Sequence, residues 1–260
     1  MSRITVDTTR CIGDGACVEV CPSRSLKLNE NGAPEEIAGS DCILCGHCVA
    51  VCDCDAITHS ALPDEPLLPA LRLLPPPAVI DSFLASRRSV REFHEQTVNR
   101  DILYALLAVA RRAPTATNSQ RLHWIVVEGI DKVRALSQEG INWLRTAGLS
   151  PARLEQWESG YDFILRGAPT VVVACAPADY AWGSPDCVIA LTFLELAAEC
   201  RGLGVCWAGY LTRIAAHHPP LCQALAVPEG YVVHGALMLG EPRFNYRHIP
   251  PRKPLSVQWL

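Results

Sequence analysis

The feature that most constrains this chain is a cysteine spacing that occurs twice, with Cys11 and Cys21 of the first copy repeated as Cys42 and Cys52. In the second copy, four cysteines follow the pattern C-x2-C-x2-C-x3-C without a break: Cys42, Cys45, Cys48 and Cys52. The first copy keeps Cys11, Cys17 and Cys21 in register, but its second position is Asp14. Eight of the 13 cysteines lie between residues 11 and 54, at the spacing of metal ligands rather than of a disulfide framework.

The unbroken copy could bind either zinc or an iron–sulfur cluster. Zinc prefers paired C-x2-C knuckles that are separated by a longer loop. Four cysteines in one short run, with Pro22 after the last cysteine of the first copy, instead match the ligand run of bacterial iron–sulfur proteins. Residues 3 to about 60 therefore resemble the two-cluster bacterial ferredoxins.

The resemblance implies which residues bind each cluster, because the fourth cysteine of each motif in these ferredoxins ligates the other cluster. One cluster, of the 4Fe–4S type, would take Cys42, Cys45, Cys48 and Cys21. The other would take Cys11, Cys17, Cys52 and Asp14. A carboxylate is a harder and more labile ligand for iron than a thiolate. The second cluster is therefore either an aspartate-ligated 4Fe–4S cluster or a 3Fe–4S cluster without the corner iron.

Composition indicates a globular chain in two parts. The 260 residues are 49 % apolar and 19 % charged, and a net charge of −4 without a basic tract argues against nucleic-acid binding. No signal peptide or membrane span is predicted, so we expect a cytoplasmic protein with reduced cysteines. A ferredoxin domain over residues 1–60 would lead through a linker with six prolines, residues 61–79, into a domain over residues 80–260.

The second part alternates helix-like and strand-like segments. Three arginines flank a serine in the segment RRSVR, residues 87–91. A helical stretch with Asn99 as its N-cap follows, and the polar segment APTATNSQ then leads into an apolar strand. Downstream, APTVVVACA, VCWAGYL and YVVHGALMLGEP are predicted strands, and DCVIALTFLELAAECRGLG is a long apolar helix closed by glycines.

This combination resembles the FMN-dependent nitroreductase family. The resemblance implies an α+β fold, in which the dicluster ferredoxin-like domain precedes a nitroreductase-like domain with a central mixed sheet flanked by helices. It also implies residues that bind FMN, and arginine suits the phosphate because its fork can bind bidentately. By family position these are Arg87, Arg88, Ser89 and Arg91 at the phosphate and ribityl chain, Arg252 over the phosphate, Asn118 and Gln120 beside the flavin ring, and Ala208 and Gly209 near its N5 edge.

A ferredoxin module joined to a flavin module implies electron transfer between them. We expect an oxidoreductase that takes electrons from a low-potential donor such as ferredoxin and reduces a nitroaromatic, a quinone or an activated alkene on FMN. Two other interpretations remain open: NAD(P)H reduces the flavin and the clusters export the electrons, or the chain is an electron-transfer subunit of a larger complex. The family resemblance also implies a homodimer, with the long apolar helix at its interface.

Asp14 offers a direct test of the cluster assignment. We expect Asp14→Cys to change the EPR spectrum and the midpoint potential of one cluster, because a thiolate would replace the carboxylate as its fourth ligand. An oxidised 3Fe–4S cluster is paramagnetic and an oxidised 4Fe–4S cluster is EPR-silent, so spectra of the oxidised protein separate the two cluster types. Unchanged spectra and potentials would show that Asp14 is not a ligand.

Overall fold

The computed structural model describes residues 2–63 and 74–260, and the chain divides into two compact units. The first unit extends to Leu74 and includes Thr117–Ser119, and the second comprises Pro75–Ala116 and Gln120–Leu260. Within the described ranges, no helix is both long and apolar enough to cross a membrane.

The first unit is built from short elements that repeat along the chain. They are β1 (Ile4–Val6), α1 (Ala16–Glu19), β2 (Leu26–Leu28), β3 (Pro34–Glu36), α2 (His47–Ala50) and β4 (Ile57–His59). β1 pairs antiparallel with β4, and β2 pairs antiparallel with β3. α2 follows α1, and β4 follows β2, at the same offset that separates Cys42 from Cys11. The cysteine repeat is therefore also a structural repeat.

The repeat extends to the backbone torsion angles. Gly15 and Gly46 precede α1 and α2 with φ angles of 75° and 71°, a left-handed conformation that glycine adopts without a Cβ clash. Two residues earlier, Gly13 and Leu44 also have positive φ angles, of 70° and 54°. Both halves thus enter their helix through the same chain reversal. Their apolar side chains share one small core, which includes Ile4, Leu26, Val49 and Ile57.

The second unit contains a four-stranded sheet with helices on both faces. Its strands are β5 (His123–Glu128), β6 (Thr170–Pro177), β7 (Gly204–Trp207) and β8 (Tyr231–Gly240). Its helices are α3 (Pro77–Ser86), α4 (Arg100–Ala110), α5 (Ile130–Thr146), α6 (Pro151–Glu158), α7 (Gly183–Glu199), α8 (Gly209–Ala215) and α9 (Pro219–Ala224). A short 3-10 turn spans Ala116–Asn118.

The apolar run of β6 is explained by its place inside this sheet. The strand order is β5-β6-β8-β7, and every residue of β6 is buried. Because successive side chains of a strand point to opposite faces, Val171 and Val173 pack into one hydrophobic core while Val172 and Ala174 pack into another. Side chains of α5 and α8 complete the first core, and those of α4 and α7 complete the second.

The structure refines three expectations from the sequence. The central sheet is present, but its four strands pair antiparallel, and the parallel contact found among the described residues is an isolated bridge between Ser89 and Val205. The predicted strand VCWAGYL ends at Trp207 because the chain turns there into α8. Residues 64–73 of the predicted linker lie outside the described residues, and α3 already begins at Pro77, since proline is favoured in a first helical turn.

Asp186, in the first turn of α7, anchors the segment that follows α4. Its side chain is buried. Its carboxylate accepts hydrogen bonds from the Ala116 N–H, at 3.1 and 3.2 Å, and from the Tyr180 hydroxyl at 2.6 Å. A carboxylate near a helix N-terminus is also favoured by the helix dipole. The loop after α4 is thereby fastened to α7.

We expect Asp186→Ala to lower the free energy of unfolding by about 2–3 kcal/mol, because two half-buried donors lose a charged acceptor. Asp186→Asn should cost less, since it keeps one acceptor oxygen. Urea unfolding followed by tryptophan fluorescence measures both losses. Asp179 is the control, because its side chain is 83 % exposed and lies 3.4 Å from Arg121. Asp179→Ala should change stability by less than about 1 kcal/mol, and a loss as large as that of Asp186→Ala would contradict the prediction.

Candidate functional site

Four of the predicted cysteine ligands line one cavity in the first unit. The wall of this cavity includes Cys21, Cys42, Cys45 and Cys48. Cys21 follows α1, whereas the other three lie before or within α2, so the cavity draws on both halves of the repeat. This set of four thiols, three from one short run and one from the other half of the repeat, fits the ligand pattern of an iron–sulfur cluster.

A second cavity in the first unit is lined by the residues that the repeat relates to this wall. Its potential ligands are Cys11, Asp14, Cys17, Cys52 and Cys54. Cys54 Sγ lies 3.6 Å from Cys52 Sγ, and its counterpart in the repeat is Ser23, whose hydroxyl lies 3.7 Å from Cys21 Sγ. Cys54 therefore occupies the position of a hydrogen-bonding neighbour rather than that of a ligand. Within residues 2–63 and 74–260, no three histidine, cysteine, aspartate or glutamate side chains are grouped to hold a single metal ion.

Asp14 is part of this second wall and also of the start of α1. Its Oδ1 accepts a hydrogen bond from the Ala16 N–H at 3.2 Å, as short acidic side chains commonly do at helix starts. A carboxylate has a second oxygen that can bind a metal. The geometry thus allows the Asp14 carboxylate to accept from the first N–H of α1 with one oxygen and to line the cavity as well.

Hydrogen bonds at equivalent positions act on the last cysteine of each motif. Burial alone would raise the pKa values of Cys21 and Cys52, but the N–H groups of Ser25 and Ala56 each donate to a sulfur at 3.2 Å and hold both pKa values below that of an ordinary thiol. Burial raises the pKa of two other thiols, Cys17 and Cys48. Since the thiolate is the form that binds metal, the first pair is prepared for ligation.

The second unit contains a cavity of about 220 Å³ that is lined mainly by cationic side chains. Its wall consists of Arg87, Arg88, Ser89, Arg91, Tyr246 and Arg252. Five of these are the predicted phosphate-binding residues, and Tyr246 is an addition. Arg88 Nε is buried and has no hydrogen-bond partner among the described residues, a costly state for a donor. Four guanidinium groups and an unsatisfied donor fit an anion such as a phosphate group.

A buried carboxylate on α7 orients one of these arginines. Arg87 Nη1 donates to Glu195 Oε1 at 2.9 Å, and Trp207 Nε1 donates to the other carboxylate oxygen at 3.0 Å. The side chain of Glu195 is only 6 % exposed. The ion pair therefore fixes the guanidinium at the cavity wall and offsets part of its charge.

The arginine segment lies against the edge strand β7. Val90 N–H donates to the Val205 carbonyl at 2.9 Å, next to the bridge between Ser89 and Val205. Gly204 permits this approach, because a Cβ at that position would lie 2.6 Å from Val90 Cγ1. The position of residues 87–91 thus depends on a glycine in the sheet.

A larger cavity of about 370 Å³ shares Arg91 with the cation-lined one. Its wall combines aromatic and cationic side chains, among them Phe163, Tyr210, Trp207, Arg166 and Arg213. Burial, and then the like charge of Arg91, lowers the pKa of Arg166. An apolar, electropositive cavity of this size fits a planar ring system that can carry negative charge.

The two residues predicted at the flavin N5 edge differ in their surroundings. Gly209, the first residue of α8, lines the larger cavity. Ala208 is buried, and its N–H donates to the Ala236 carbonyl at 2.8 Å. The Ala208 amide is therefore used inside the fold, and Gly209 is the member of the pair that faces the cavity.

Asn118 and Gln120 do not line either cavity of the second unit. Asn118 belongs to the first unit, where its side-chain amide donates to the carbonyls of Leu44 at 2.9 Å and Ile43 at 3.3 Å. Gln120 N–H donates to Thr115 Oγ1 at 3.1 Å. A place for these two side chains beside a flavin ring stays a prediction.

Sequence reasoning missed several residues that shape these walls. Glu195 carries a usable signal, because an acidic residue inside an otherwise apolar helix indicates a buried partner. No such signal marks Arg166, Arg213 and Tyr246. An isolated arginine or tyrosine in a segment without a motif is most simply interpreted as a surface residue.

Comparison with known proteins gives the class of protein that this fold and these cavities define. Residues 84–241 match the model of the nitroreductase family, and the chain belongs to that family. Residues 3–53 match the model of the 4Fe-4S dicluster domain. The chain is thus an oxidoreductase of the nitroreductase family with an N-terminal ferredoxin-like domain. Both the predicted family and the predicted α+β fold class are confirmed.

Relatives exist for each part of the chain. A protein of Archaeoglobus fulgidus, provisionally named NADH dehydrogenase/NAD(P)H nitroreductase, is 28 % identical over 163 residues, which cover 61 % of this chain and 82 % of the relative. A ferredoxin of Pyrobaculum islandicum is 39 % identical over 59 residues, which cover 23 % of this chain and 54 % of the ferredoxin.

Solved structures show the same fold for the second unit. A nitroreductase with bound FMN from Desulfitobacterium hafniense has a TM-score of 0.58 at 24 % identity, covering 69 % of this chain and 96 % of its own. Another with bound FMN, from Bacteroides fragilis, has a TM-score of 0.57 at 24 % identity, covering 68 % and 94 %.

We expect Gly204→Ala to displace the arginine segment, because the new methyl group would overlap with Val90. The unfolding free energy should fall by about 1–3 kcal/mol, the usual cost of overpacking, and the Val90 amide should exchange its hydrogen faster. Urea unfolding and hydrogen exchange measure the two effects. Gly209→Ala is the matched control, since a Cβ there meets nothing within 4 Å. Equal behaviour of the two variants would rule out the proposed dependence on Gly204.

Proposed function

We propose that this protein is an iron–sulfur flavoprotein that takes electrons from a low-potential donor such as ferredoxin and reduces a nitroaromatic, a quinone or an activated alkene. The observation that carries the proposal is the presence, in one chain, of two cysteine-lined cavities and a cation-lined cavity that shares Arg91 with an apolar one. Such a combination is expected where a one-electron supply meets two-electron chemistry.

In the first unit, the two cysteine-lined cavities would each hold one cluster. A 4Fe–4S cluster would bind to Cys21, Cys42, Cys45 and Cys48. The other cluster, 4Fe–4S with an aspartate ligand or 3Fe–4S, would bind to Cys11, Asp14, Cys17 and Cys52. The donor sets support this assignment, and so do the lowered pKa values of Cys21 and Cys52, which favour the ligating thiolate.

In the second unit, FMN would span the two cavities that share Arg91. Its phosphate would bind to Arg87, Arg88, Ser89 and Arg252 and would satisfy the buried Arg88 Nε. Its ring would lie in the larger cavity, where Gly209 lets the backbone approach closely. Arg91 would stand between the two ends of the cofactor.

When bound, the clusters exchange single electrons, and FMN accepts two and can deliver a hydride equivalent. The chain's own residues bind, orient and shield. Arg91 and Arg166 place positive charge in the wall of the larger cavity, where it stabilises developing negative charge. Phe163 and Met238 give that wall an apolar surface against which a ring would pack.

A second direction of electron flow is supported by the relatives. Two of them, from Archaeoglobus fulgidus and Methanothermobacter thermautotrophicus, have names that include NADH dehydrogenase and NAD(P)H nitroreductase. In this alternative NAD(P)H would reduce the flavin, and the first unit would export the electrons to a carrier.

We further propose that the protein is a homodimer. α7 leaves three large apolar side chains between 37 % and 40 % exposed, namely Val188, Ile189 and Phe193. An exposed apolar helix face of this kind is typical of an interface, and a second copy of the chain is the partner that the family supports. Sedimentation velocity of the purified protein tests the assembly.

An anaerobic absorption experiment tests the function and the direction together. The purified protein should contain iron, sulfide and FMN, and reduced ferredoxin should bleach the flavin band and sustain reduction of a nitroaromatic or a quinone. Bleaching by NADH or NADPH alone, followed by reduction of oxidised ferredoxin, would establish the reverse direction. A protein that holds clusters but no flavin would contradict the proposal.

Arg88→Ala should weaken FMN binding by roughly 10- to 100-fold, as expected for the loss of a charged hydrogen bond of about 1.5–3 kcal/mol. Quenching of FMN fluorescence during titration measures the affinity. Arg201→Ala is the control, because Arg201 is an exposed arginine that lines neither cavity. If Arg88→Ala binds FMN as tightly as the wild type does, Arg88 does not contact the phosphate.

A further inference from the structure

We infer that His59 is a positioning residue for the all-cysteine cluster: its Nε2–H donates a hydrogen bond to Cys42 Sγ and raises the midpoint potential of that cluster. The inference rests on the proposed binding of a 4Fe–4S cluster by Cys21, Cys42, Cys45 and Cys48. It concerns a residue outside the ligand pattern.

The position of His59 is fixed by strand pairing. It is the last residue of β4 and pairs with Ile4 of β1. From there the imidazole forms part of the cavity wall, and its Nε2 lies 3.6 Å from Cys42 Sγ. This separation is normal for a hydrogen bond to sulfur, which is larger than oxygen.

The neighbouring backbone determines which ring nitrogen carries the proton. The Ala61 N–H donates to His59 Nδ1 at 3.2 Å. A nitrogen that accepts a hydrogen bond has no proton, and a neutral imidazole has one proton to place. The proton therefore lies on Nε2, and the contact with Cys42 is an N–H donor aimed at a sulfur.

The internal repeat shows that this donor is specific to one cavity. At the offset that relates Cys42 to Cys11, the counterpart of His59 is Leu28, the last residue of β2. Leucine cannot donate a hydrogen bond. By contrast, the backbone bonds to Cys21 and Cys52 occur in both halves. The histidine thus adds to the all-cysteine cavity a donor that has no counterpart in the other half.

The effect on potential follows from charge. Reduction adds negative charge to a cluster and its thiolates, and a hydrogen bond to a ligating sulfur stabilises the more negative state. Removing the bond should therefore make the cluster harder to reduce.

The test is His59→Leu, which copies the residue that the other half of the unit already has at this position. EPR-monitored redox titration of the intact protein, with all variants at one fixed pH, gives the midpoint potential of each cluster. We expect the potential of the all-cysteine cluster to fall by roughly the equivalent of a tenfold change in its reduction equilibrium, about 59 mV for a one-electron couple. The potential of the Asp14 cluster should not move.

Two further variants separate the hydrogen bond from a general effect of substitution. His59→Gln keeps an N–H donor at a similar distance from the backbone and should restore most of the wild-type potential. His47→Leu removes another imidazole from the same cavity wall, although no hydrogen bond joins His47 to a cysteine among the described residues. In His47→Leu, the potential of the all-cysteine cluster should match that of the wild type.

Each outcome decides a different question. If the wild-type protein contains no all-cysteine cluster by iron analysis and EPR, both the proposed function and this inference are wrong. If the cluster is present and His59→Leu leaves its potential unchanged, or shifts both clusters equally, the inference is wrong and the proposed function stands. If His59→Leu loses the cluster, the other two variants decide. The inference stands if the cluster has the wild-type potential in both His59→Gln and His47→Leu, and it is wrong otherwise.

Discussion

Neither half of the first unit completes a cysteine-lined cavity by itself, because each half contributes one cysteine to the cavity of the other half. Cys21 comes from the first half but lines the cavity of Cys42, and Cys52 comes from the second half but lines the cavity of Cys11. Each of these exchanged thiols is held by an N–H group of its own half, Ser25 or Ala56. Each half therefore positions the sulfur atom that it contributes to the cavity of the other half.

The second unit solves a different problem, which is to hold several cations close together. Its sheet provides the rigid edge, and Gly204 lets the segment around Val90 come within hydrogen-bonding distance of β7. Glu195 then offsets the charge of Arg87 from within the apolar helix α7. Without these two features, the repulsion among the four guanidinium groups would leave them without a fixed arrangement at the cavity.

Much of this architecture could be predicted from the sequence because it depends on spacing. Ligand spacing and the constant offset between the two copies are properties of the chain itself, and they predicted both cysteine walls and the repeat of elements. The contact between Arg87 and Glu195 joins residues 108 positions apart, and no local pattern encodes it. The same holds for the Ala208 N–H, which donates a hydrogen bond to the Ala236 carbonyl only once the sheet has formed. The helix after Trp207 was missed because VCWAGYL is rich in residues that favour strands.

The shared carboxylate of Glu195 has a consequence for how the two cavities of the second unit respond to a ligand. One of its oxygens accepts from Arg87 in the smaller wall, and the other accepts from Trp207 in the larger wall. An anion that draws Arg87 away from Glu195 alters the hydrogen bond of the indole, and a ring packed on the indole alters the carboxylate in return. Through this shared carboxylate, filling one cavity would be thermodynamically linked to filling the other. A ligand with an anionic end and a ring end would then be recognised as a whole, and a fragment of it would gain only part of that linkage.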